Sequence, residues 1–263
     1  MTKIALLSIA LLLAVTTLLT AAPAEDMKTL ANRISREFSE KTPKQWSETV
    51  TGVRSRLVTN DKVLALTLDA CGSPKGKGVD QQLLDFLVQE QIPATLFINA
   101  RWIDANPALF KQLASNPLFE IANHGMWHKP ASINGRSIYG IAGTKDTTEL
   151  VQEIELNARK IDEITGKRTR YYRSGTAYYD EYAVQISQQL GHEVIGFSVL
   201  GDAGATFSAA QVKAAMLTSK PGDIIIAHMN HPEAGTGAGI LAAVPELKKR
   251  GFRFVKLNEY HLQ

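Results

Sequence analysis

Two histidines, His124 and His128, stand four positions apart directly after a short apolar run. In a helix or a tight turn, that spacing turns both imidazoles to one side. Two imidazole nitrogens on one side are a common way to hold a divalent metal. The spacing alone is a weak signal, because surface or packing histidines show it as well. The apolar run, residues 119–122, has the length of a buried strand, so the pair would lie at the carboxyl end of that strand.

The segments that must position the pair form a regular alternation of apolar runs and helix-like stretches that begins at Val63. We count seven such units, with no internal repeat and no linker. Alternation of this kind predicts parallel strands in a barrel-like α/β domain. The predicted strands cover residues 63–68, 94–98, 119–122, 170–172, 193–200, 223–227 and 252–257. The predicted helices cover residues 79–90, 106–115, 147–164, 180–190 and 209–217, and a last helix ends at Arg250.

The carboxyl ends of these strands carry most of the reactive side chains of the chain. In α/β barrels the reacting groups lie at those ends, where the loops after the strands converge. Besides the histidine pair, the residues at these strand ends are Asp69, Arg173, Asp202 and His228. The chain has six histidines, and a random placement would rarely put three of them at strand ends. The pattern therefore favours a metal site.

Five motifs, in matching order, give residues 63–257 a resemblance to the polysaccharide deacetylases of the NodB-homology type, carbohydrate esterase family 4. The family's Thr-Phe-Asp-Asp-Gly is similar to residues 67–72, and its His-Ser/Thr-x-x-His has the spacing of the histidine pair. Its Arg-x-Pro-Tyr/Phe corresponds to residues 173–176, and its Asp-containing turn to Gly201-Asp202. Its Ile-x-Leu-x-His corresponds to residues 224–228. The resemblance implies a distorted (β/α)7 barrel of the NodB type.

The resemblance also implies a metal centre. His124, His128 and a carboxylate, for which Asp69 is the candidate, would hold a divalent metal, with zinc expected first and other transition metals remaining open. The metal would polarise the acetyl carbonyl and lower the pKa of a bound water. Asp69 would take the proton of that water as general base. Arg173 would orient Asp69 and keep it ionised.

The other implied roles concern the leaving group and the acetyl group. His228 would protonate the leaving amine, and Asp202 would hold its imidazole and keep it charged. The backbone N–H of Thr176 would help to stabilise the tetrahedral oxyanion. Ile226 takes the place of a leucine that lines the acetyl-methyl pocket.

The chain departs from the family pattern at Ala70, where the resemblance leads us to expect the metal-binding aspartate. Three outcomes stay open: Asp69 serves as the ligand, the two histidines hold the metal with water or a carboxylate from elsewhere, or the site is inactive. The next residue, Cys71, could be a nucleophile or a metal thiolate, although a small buried residue in a turn is the more ordinary interpretation. The segment 174–176 also lacks the proline and the aromatic residue of the family motif.

The N-terminal residues predict export. A short basic start, an apolar run and small residues up to Ala24 are typical of a secretory signal peptide covering residues 1–24. We expect a helical extension over residues 25–62 and the catalytic domain over residues 63–263, in a secreted or periplasmic protein. The net charge of +3 and the single cysteine, Cys71, predict no nucleic-acid partner and exclude an internal disulfide.

The sequence thus predicts a metal-dependent deacetylase that hydrolyses the amide or ester bonds of an N- or O-acetylated polysaccharide. Peptidoglycan and chitin-type amino sugars are the substrates expected first. The partner would be that polysaccharide, without stable insertion into a membrane, and the oligomeric state stays open. Two other classes remain: a catalytically impaired, glycan-binding relative, and a metallohydrolase of amidase or peptidase type.

Overall fold

The computed structural model describes residues 25–263, so the predicted signal peptide lies outside the described residues. The described chain forms one eight-stranded sheet with helices packed around it. The strands are β1 (Val63–Ala70), β2 (Ala94–Ile98), β3 (Phe119–Asn123), β4 (Tyr171–Tyr172), β5 (Glu193–Val194), β6 (Val199–Leu200), β7 (Asp223–His228) and β8 (Arg253–Val255). The helices are α1 (Met27–Glu37), α2 (Gln81–Gln89), α3 (Ala100–Ala105), α4 (Pro107–Ser115), α5 (Thr147–Thr165), α6 (Glu181–Gln189), α7 (Ala209–Leu217) and α8 (Thr236–Lys249).

All strand pairings in this sheet are parallel. The strand order is β5-β4-β3-β2-β1-β7-β6, and β8 pairs with the first half of β1. The sheet curls into a half-barrel with flanking helices, which confirms the predicted distorted (β/α)7 barrel of the NodB type. None of the helices in the described part of the chain is long and apolar enough to cross a membrane.

The prediction of one continuous strand over residues 193–200 is wrong. The run divides into β5 and β6, which lie at opposite ends of the strand order. Between them the chain leaves the sheet, and the carbonyl groups of Ile195 and Gly196 accept hydrogen bonds from the side chain of Arg173, at 3.2 and 2.9 Å. The Gly196 N–H donates to the Arg54 carbonyl at 2.8 Å. The interruption thus supplies carbonyl acceptors to a buried cation.

Alternation along β1 decides which of its side chains can reach the site, because successive side chains of a strand point to opposite faces. The even-numbered ones pack into the core between sheet and helices: Leu64, Leu66, Leu68 and Ala70. Val63 and Ala65 lie in a separate cluster on the opposite face. Thr67 and Asp69 are also odd-numbered and therefore point to the same face as Val63 and Ala65. Asp69 pairs in register with His228 on β7. The carboxyl end of β1 therefore presents Asp69 to the interior and Ala70 to the helices.

The residues between α1 and β1 form an extended segment along the barrel, so the helical extension expected over residues 25–62 is helical only in α1. Helix α1 ends at Glu37 and packs against α5. Residues 46–58, which we call the N-terminal strap, then bond to distant parts of the chain. Ser47 exchanges two backbone hydrogen bonds with Tyr179, at 3.1 and 3.2 Å, and Leu57 forms a bridge with Leu262. The strap thus runs from the loop after β4, near the carboxyl ends of the strands, to the amino end of β7, where the Leu57 N–H donates to the Gly222 carbonyl at 2.8 Å.

Candidate active site

A cavity of about 580 Å³ opens at the carboxyl ends of the strands. Five of the predicted site residues line it: Asp69, His128, Thr176, Ile226 and His228. The other three, His124, Arg173 and Asp202, lie fully buried behind its wall. The structure therefore brings all eight predicted residues to one place, although they come from five separate segments of the chain.

Asp69 and Arg173 form a buried ion pair at the floor of the cavity. The Arg173 guanidinium donates to Asp69 Oδ1 at 2.7 Å and to Thr67 Oγ1 at 2.9 Å. Its carbon lies 4.1 Å from the centre of the Phe97 ring, a cation–π arrangement. Neither side chain of the ion pair is more than 4% exposed. Arg173 thereby fixes one carboxylate oxygen of Asp69, as predicted, and leaves Oδ2 for other partners.

His124 is oriented by the backbone. Its Nδ1–H donates to the Arg173 carbonyl at 2.9 Å, which leaves Nε2 as the atom with a free lone pair. That Nε2 lies 3.7 Å from Asp69 Oδ2 and 3.8 Å from Cys71 Sγ. Burial lowers the pKa of His124, but the Asp69 carboxylate and the Cys71 sulfur raise it more, and the result lies above the ordinary value.

His128 completes a compact group of three possible metal ligands. Its ring centre lies 4.9 Å from that of His124, and its Nε2 is buried without a hydrogen-bond partner among the described residues. Ligand atoms of Cys71, His124 and His128 all lie within 4.8 Å of one another. Two imidazoles and a thiol form a donor set that fits a divalent transition metal. Asp69 is not in this group of three, and its role as a ligand stays a prediction.

The loop that carries His128 is held by Glu153, a residue of α5 that the sequence analysis missed. The Glu153 carboxylate accepts from the Trp127 N–H at 2.8 Å and from the Lys129 N–H at 3.1 Å. Its backbone carbonyl accepts from the Met126 N–H at 2.8 Å. Burial raises the pKa of this fully buried carboxyl group, while the two N–H donors lower it, and the net shift is upward. A usable signal was present, since Glu153 lies one helical turn after the apolar Leu150 and shares its inward face.

The backbone around His128 is strained and tightly packed. His128 has a φ of +63°, in the left-handed region that costs a non-glycine residue about 1–3 kcal/mol. Gly175 lies directly against it, and a Cβ there would approach the His128 carbonyl carbon to 2.3 Å. The glycine that replaces the family's proline is therefore required by the position of His128.

His228, at the end of β7, and Asp202, in the loop after β6, form a second pair. The His228 Nδ1–H donates to Asp202 Oδ1 at 3.0 Å, and the His228 backbone N–H donates to Oδ2 at 2.8 Å. The Thr236 hydroxyl donates to the same Oδ2 at 2.9 Å. Burial lowers the pKa of His228, but the sulfur of Cys71 and the carboxylate of Asp202 raise it well above its ordinary value. The imidazole is thus held by Asp202, and its Nε2 is left for the cavity.

Aromatic side chains border the mouth of the cavity. Tyr139 is 69% exposed and lines it, and its ring centre lies 5.7 Å from that of Tyr178. On its other side Tyr178 contacts Trp46 of the N-terminal strap, with ring centres 5.8 Å apart. Glu48, also from the strap, lines the cavity itself. No function was predicted for this segment, yet it contributes to the wall of the site.

Fold and site together describe an α/β half-barrel enzyme whose reactive groups converge on one pocket at the carboxyl ends of parallel strands. Residues 56–195 match the family model for polysaccharide deacetylases, and the chain belongs to that family. The predicted class, a hydrolase acting on acetylated carbohydrates, is thereby confirmed at the level of the family.

Individual relatives support this placement. The chain is 27% identical to a peptidoglycan-N-acetylglucosamine deacetylase of Bacillus cereus, over 76% of this chain and 88% of the relative. It is 24% identical to a chitooligosaccharide deacetylase of Sinorhizobium fredii, over 68% of this chain and 84% of the relative.

Solved structures share the fold. A peptidoglycan N-acetylglucosamine deacetylase, Bc1960, aligns with a TM-score of 0.68 at 21% identity, over 80% of this chain and 92% of that one. A carbohydrate esterase family 4 pseudoenzyme from Bacillus anthracis aligns with a TM-score of 0.65 at 19% identity, over 78% of this chain and 67% of that one. Because the fold therefore also occurs in an inactive protein, activity must be argued from the site.

Proposed function

We propose that this protein is a metal-dependent deacetylase that removes acetyl groups from a polysaccharide of acetylated amino sugars, of the peptidoglycan or chitin type. The observation that carries the proposal is the convergence of three units on one cavity: the Asp69–Arg173 ion pair, the His124 and His128 imidazoles, and the His228 imidazole. A peptidoglycan deacetylase and a chitooligosaccharide deacetylase among the relatives support the substrate class.

When bound, the metal would polarise the acetyl carbonyl and make its water more acidic. Asp69 would accept a proton from the attacking water at Oδ2, because Arg173 occupies Oδ1. His228 would donate a proton from Nε2 to the leaving nitrogen, since Asp202 holds its Nδ1–H and favours the charged imidazole. His124 and His128 would hold the metal.

The remaining wall residues would position the acetyl group. Thr176 and Ile226 lie in the cavity wall, where we assign the Thr176 backbone N–H to the developing oxyanion and the Ile226 side chain to the acetyl methyl group. Tyr139, Tyr178 and Trp46 offer aromatic surface to the apolar faces of neighbouring sugar rings. This arrangement favours a carbohydrate over a peptide as substrate.

We further propose that the protein acts in the periplasm or outside the cell, where such polymers occur. This part rests on residues 1–24, whose basic start, apolar run and small residues support an export signal. The N-terminal sequence of the protein recovered from the periplasm or medium tests it. Recovery only from the cytoplasm, with Met1 or Thr2 still at the N-terminus, would contradict it.

Acetate release from acetylated peptidoglycan and from chitooligosaccharides tests the activity, measured with and without a chelator. We expect acetate that disappears with the chelator and returns when Zn²⁺ or Co²⁺ is added. The variant His228→Ala should lose most of the turnover, and His261→Ala, at an exposed histidine, should keep it. A folded protein that releases no acetate from either polymer or from acetylxylan, yet binds them, would make a glycan-binding role the better description.

A further inference from the structure

We infer that Cys71 is the third protein ligand of the metal, so that the centre is a Cys-His-His site with a thiolate in place of the family's carboxylate. The inference rests on the proposed metal-dependent function and deepens it. It assigns a role to a residue that the sequence analysis treated as an ordinary buried residue. It also supplies the third ligand that is missing at Ala70, where the family has an aspartate.

Adjacent side chains at the end of β1 point to different sides of the sheet. Ala70 is fully buried in the core between sheet and helices, so a carboxylate at that position would point into apolar side chains. Cys71 follows on the same side as Asp69, and its sulfur lies 3.8 Å from His124 Nε2. The ligand is therefore displaced by one position along the chain.

The turn after β1 fixes the position of the sulfur. Gly72 has a φ of +68°, and a Cβ there would approach the Trp102 backbone nitrogen to 2.5 Å. The chain can make this close turn against α3 only because residue 72 is glycine. The turn keeps Cys71 buried at the rim, with 8% of its surface exposed.

The two imidazoles are oriented to share a metal with that sulfur. The Arg173 carbonyl takes the Nδ1–H of His124, so Nε2 of this ring faces Cys71 and Asp69. The Nε2 of His128 is buried and has no hydrogen-bond partner in the described chain. A buried polar atom of this kind is costly unless a ligand satisfies it. A metal between the three donors would satisfy it.

The donor set also limits the choice of metal, because a cysteine binds a metal as the thiolate. A thiolate selects borderline-soft metals such as Zn²⁺ or Co²⁺ over Mg²⁺ or Mn²⁺.

This assignment also resolves a conflict over Asp69, which was predicted to be both the general base and a metal ligand. With Cys71 on the metal, Asp69 keeps Oδ2 for proton transfer while Arg173 holds Oδ1.

Cobalt substitution tests the inference without relying on turnover. Protein stripped with a chelator is titrated with Co²⁺, and the near-ultraviolet charge-transfer absorption of a thiolate–cobalt bond is recorded together with the bound stoichiometry. We expect one equivalent of Co²⁺ and a clear thiolate band in the wild type. Cys71→Ser should lose the band and bind Co²⁺ at least about 10-fold more weakly. Cys71→Asp should lose the band and recover most of the affinity.

Two variants serve as controls. Asp69→Asn should keep the band, and Ser73→Ala, in the same cavity wall, should keep both band and affinity. Thermal unfolding of each variant checks that it is folded.

A wild-type protein that binds Co²⁺ without a thiolate band would overturn the inference, while chelator-sensitive acetate release would still support the proposed function. The opposite failure is distinct: a strong thiolate band with no acetate from any polymer would support the Cys-His-His centre and contradict the deacetylase. Absence of Co²⁺ binding would overturn the assignment of Cys71.

Discussion

The guanidinium of Arg173 compensates the buried negative charge of the Asp69 carboxylate. The variant Arg173→Met tests how much this pairing contributes to stability. The side chain has no solvent exposure and donates to Asp69, Thr67 and the carbonyl groups of Ile195 and Gly196. Methionine removes every one of these donors but keeps an unbranched apolar stem of similar length. The carboxylate of Asp69, which is 2% exposed, would then lack its cation.

We expect Arg173→Met to lower the free energy of unfolding by roughly 3–5 kcal/mol, the usual cost of removing one partner of a buried ion pair. Arg170 supplies a matched control. It pairs with Glu193 at 2.7 Å, the same nitrogen–oxygen distance as between Arg173 and Asp69, but the two side chains are 61% and 35% exposed. Arg170→Met should therefore cost no more than about 1 kcal/mol. A larger loss for Arg173→Met than for Arg170→Met would identify burial of the ion pair as the cause of the larger loss.

Urea unfolding of the chelator-stripped proteins measures both losses from the midpoint and the slope. A third protein, Arg173→Met with Asp69→Asn, removes the uncompensated charge and should recover part of the lost stability. Equal losses in the two arginine variants, or a double variant no more stable than Arg173→Met, would refute the account based on an unpaired buried carboxylate.

Three further predictions concern a buried histidine and the loop that carries His128. Burial lowers the pKa of His192 to about 3 in the folded state, below its unfolded value, so its contribution to stability is present above about pH 6.5 and is lost as the pH falls. Wild type should lose about 2 kcal/mol more unfolding free energy between pH 7.5 and 5 than His192→Gln, and equal losses would contradict this. Glu153→Ala should weaken Co²⁺ binding about 10- to 100-fold, whereas Glu163→Ala, exposed on the same helix, should not; equal affinities would show that the carboxylate does not position the loop. Gly175→Ala should displace the backbone of His128 and also weaken Co²⁺ binding, and unchanged affinity with an intact fold would count against the close contact.

The sequence was sufficient to predict the half-barrel and the convergence of the strand ends, because buried parallel strands read as short apolar runs between helical patterns. Asp69, His124 and His228 lie where that pattern places them. For Cys71 the sequence left the metal-thiolate interpretation open but favoured a small buried residue, and the motif comparison set Ala70 against the metal-binding aspartate. Strand alternation gives the other answer, since residues 69 and 71 share a face and residue 70 does not.

Other features had no comparable local signal. Where residues 193–200 divide into two strands, the carbonyl groups of Ile195 and Gly196 accept hydrogen bonds from Arg173, a residue distant in sequence. The strap residue Glu48 reaches the cavity because the neighbouring Ser47 pairs with Tyr179, and nothing in the strap's own composition indicates that partner. Such contacts depend on tertiary structure rather than on local pattern.

The N-terminal strap has a consequence for the order in which the enzyme matures. The N–H groups of Ser55 and Arg56 both donate to the carbonyl of Gln263, and the Val58 N–H donates to the carbonyl of His261. These partners are among the earliest and the latest of the described residues to be synthesised, so the strap can dock fully only after residues 261–263 are available. Since the strap also carries Glu48 into the cavity wall, a partly synthesised chain would hold the proposed metal ligands, which follow β1 and β3, without a finished pocket. Competence to bind a glycan would thus arise as a late event in folding, after the half-barrel itself has formed.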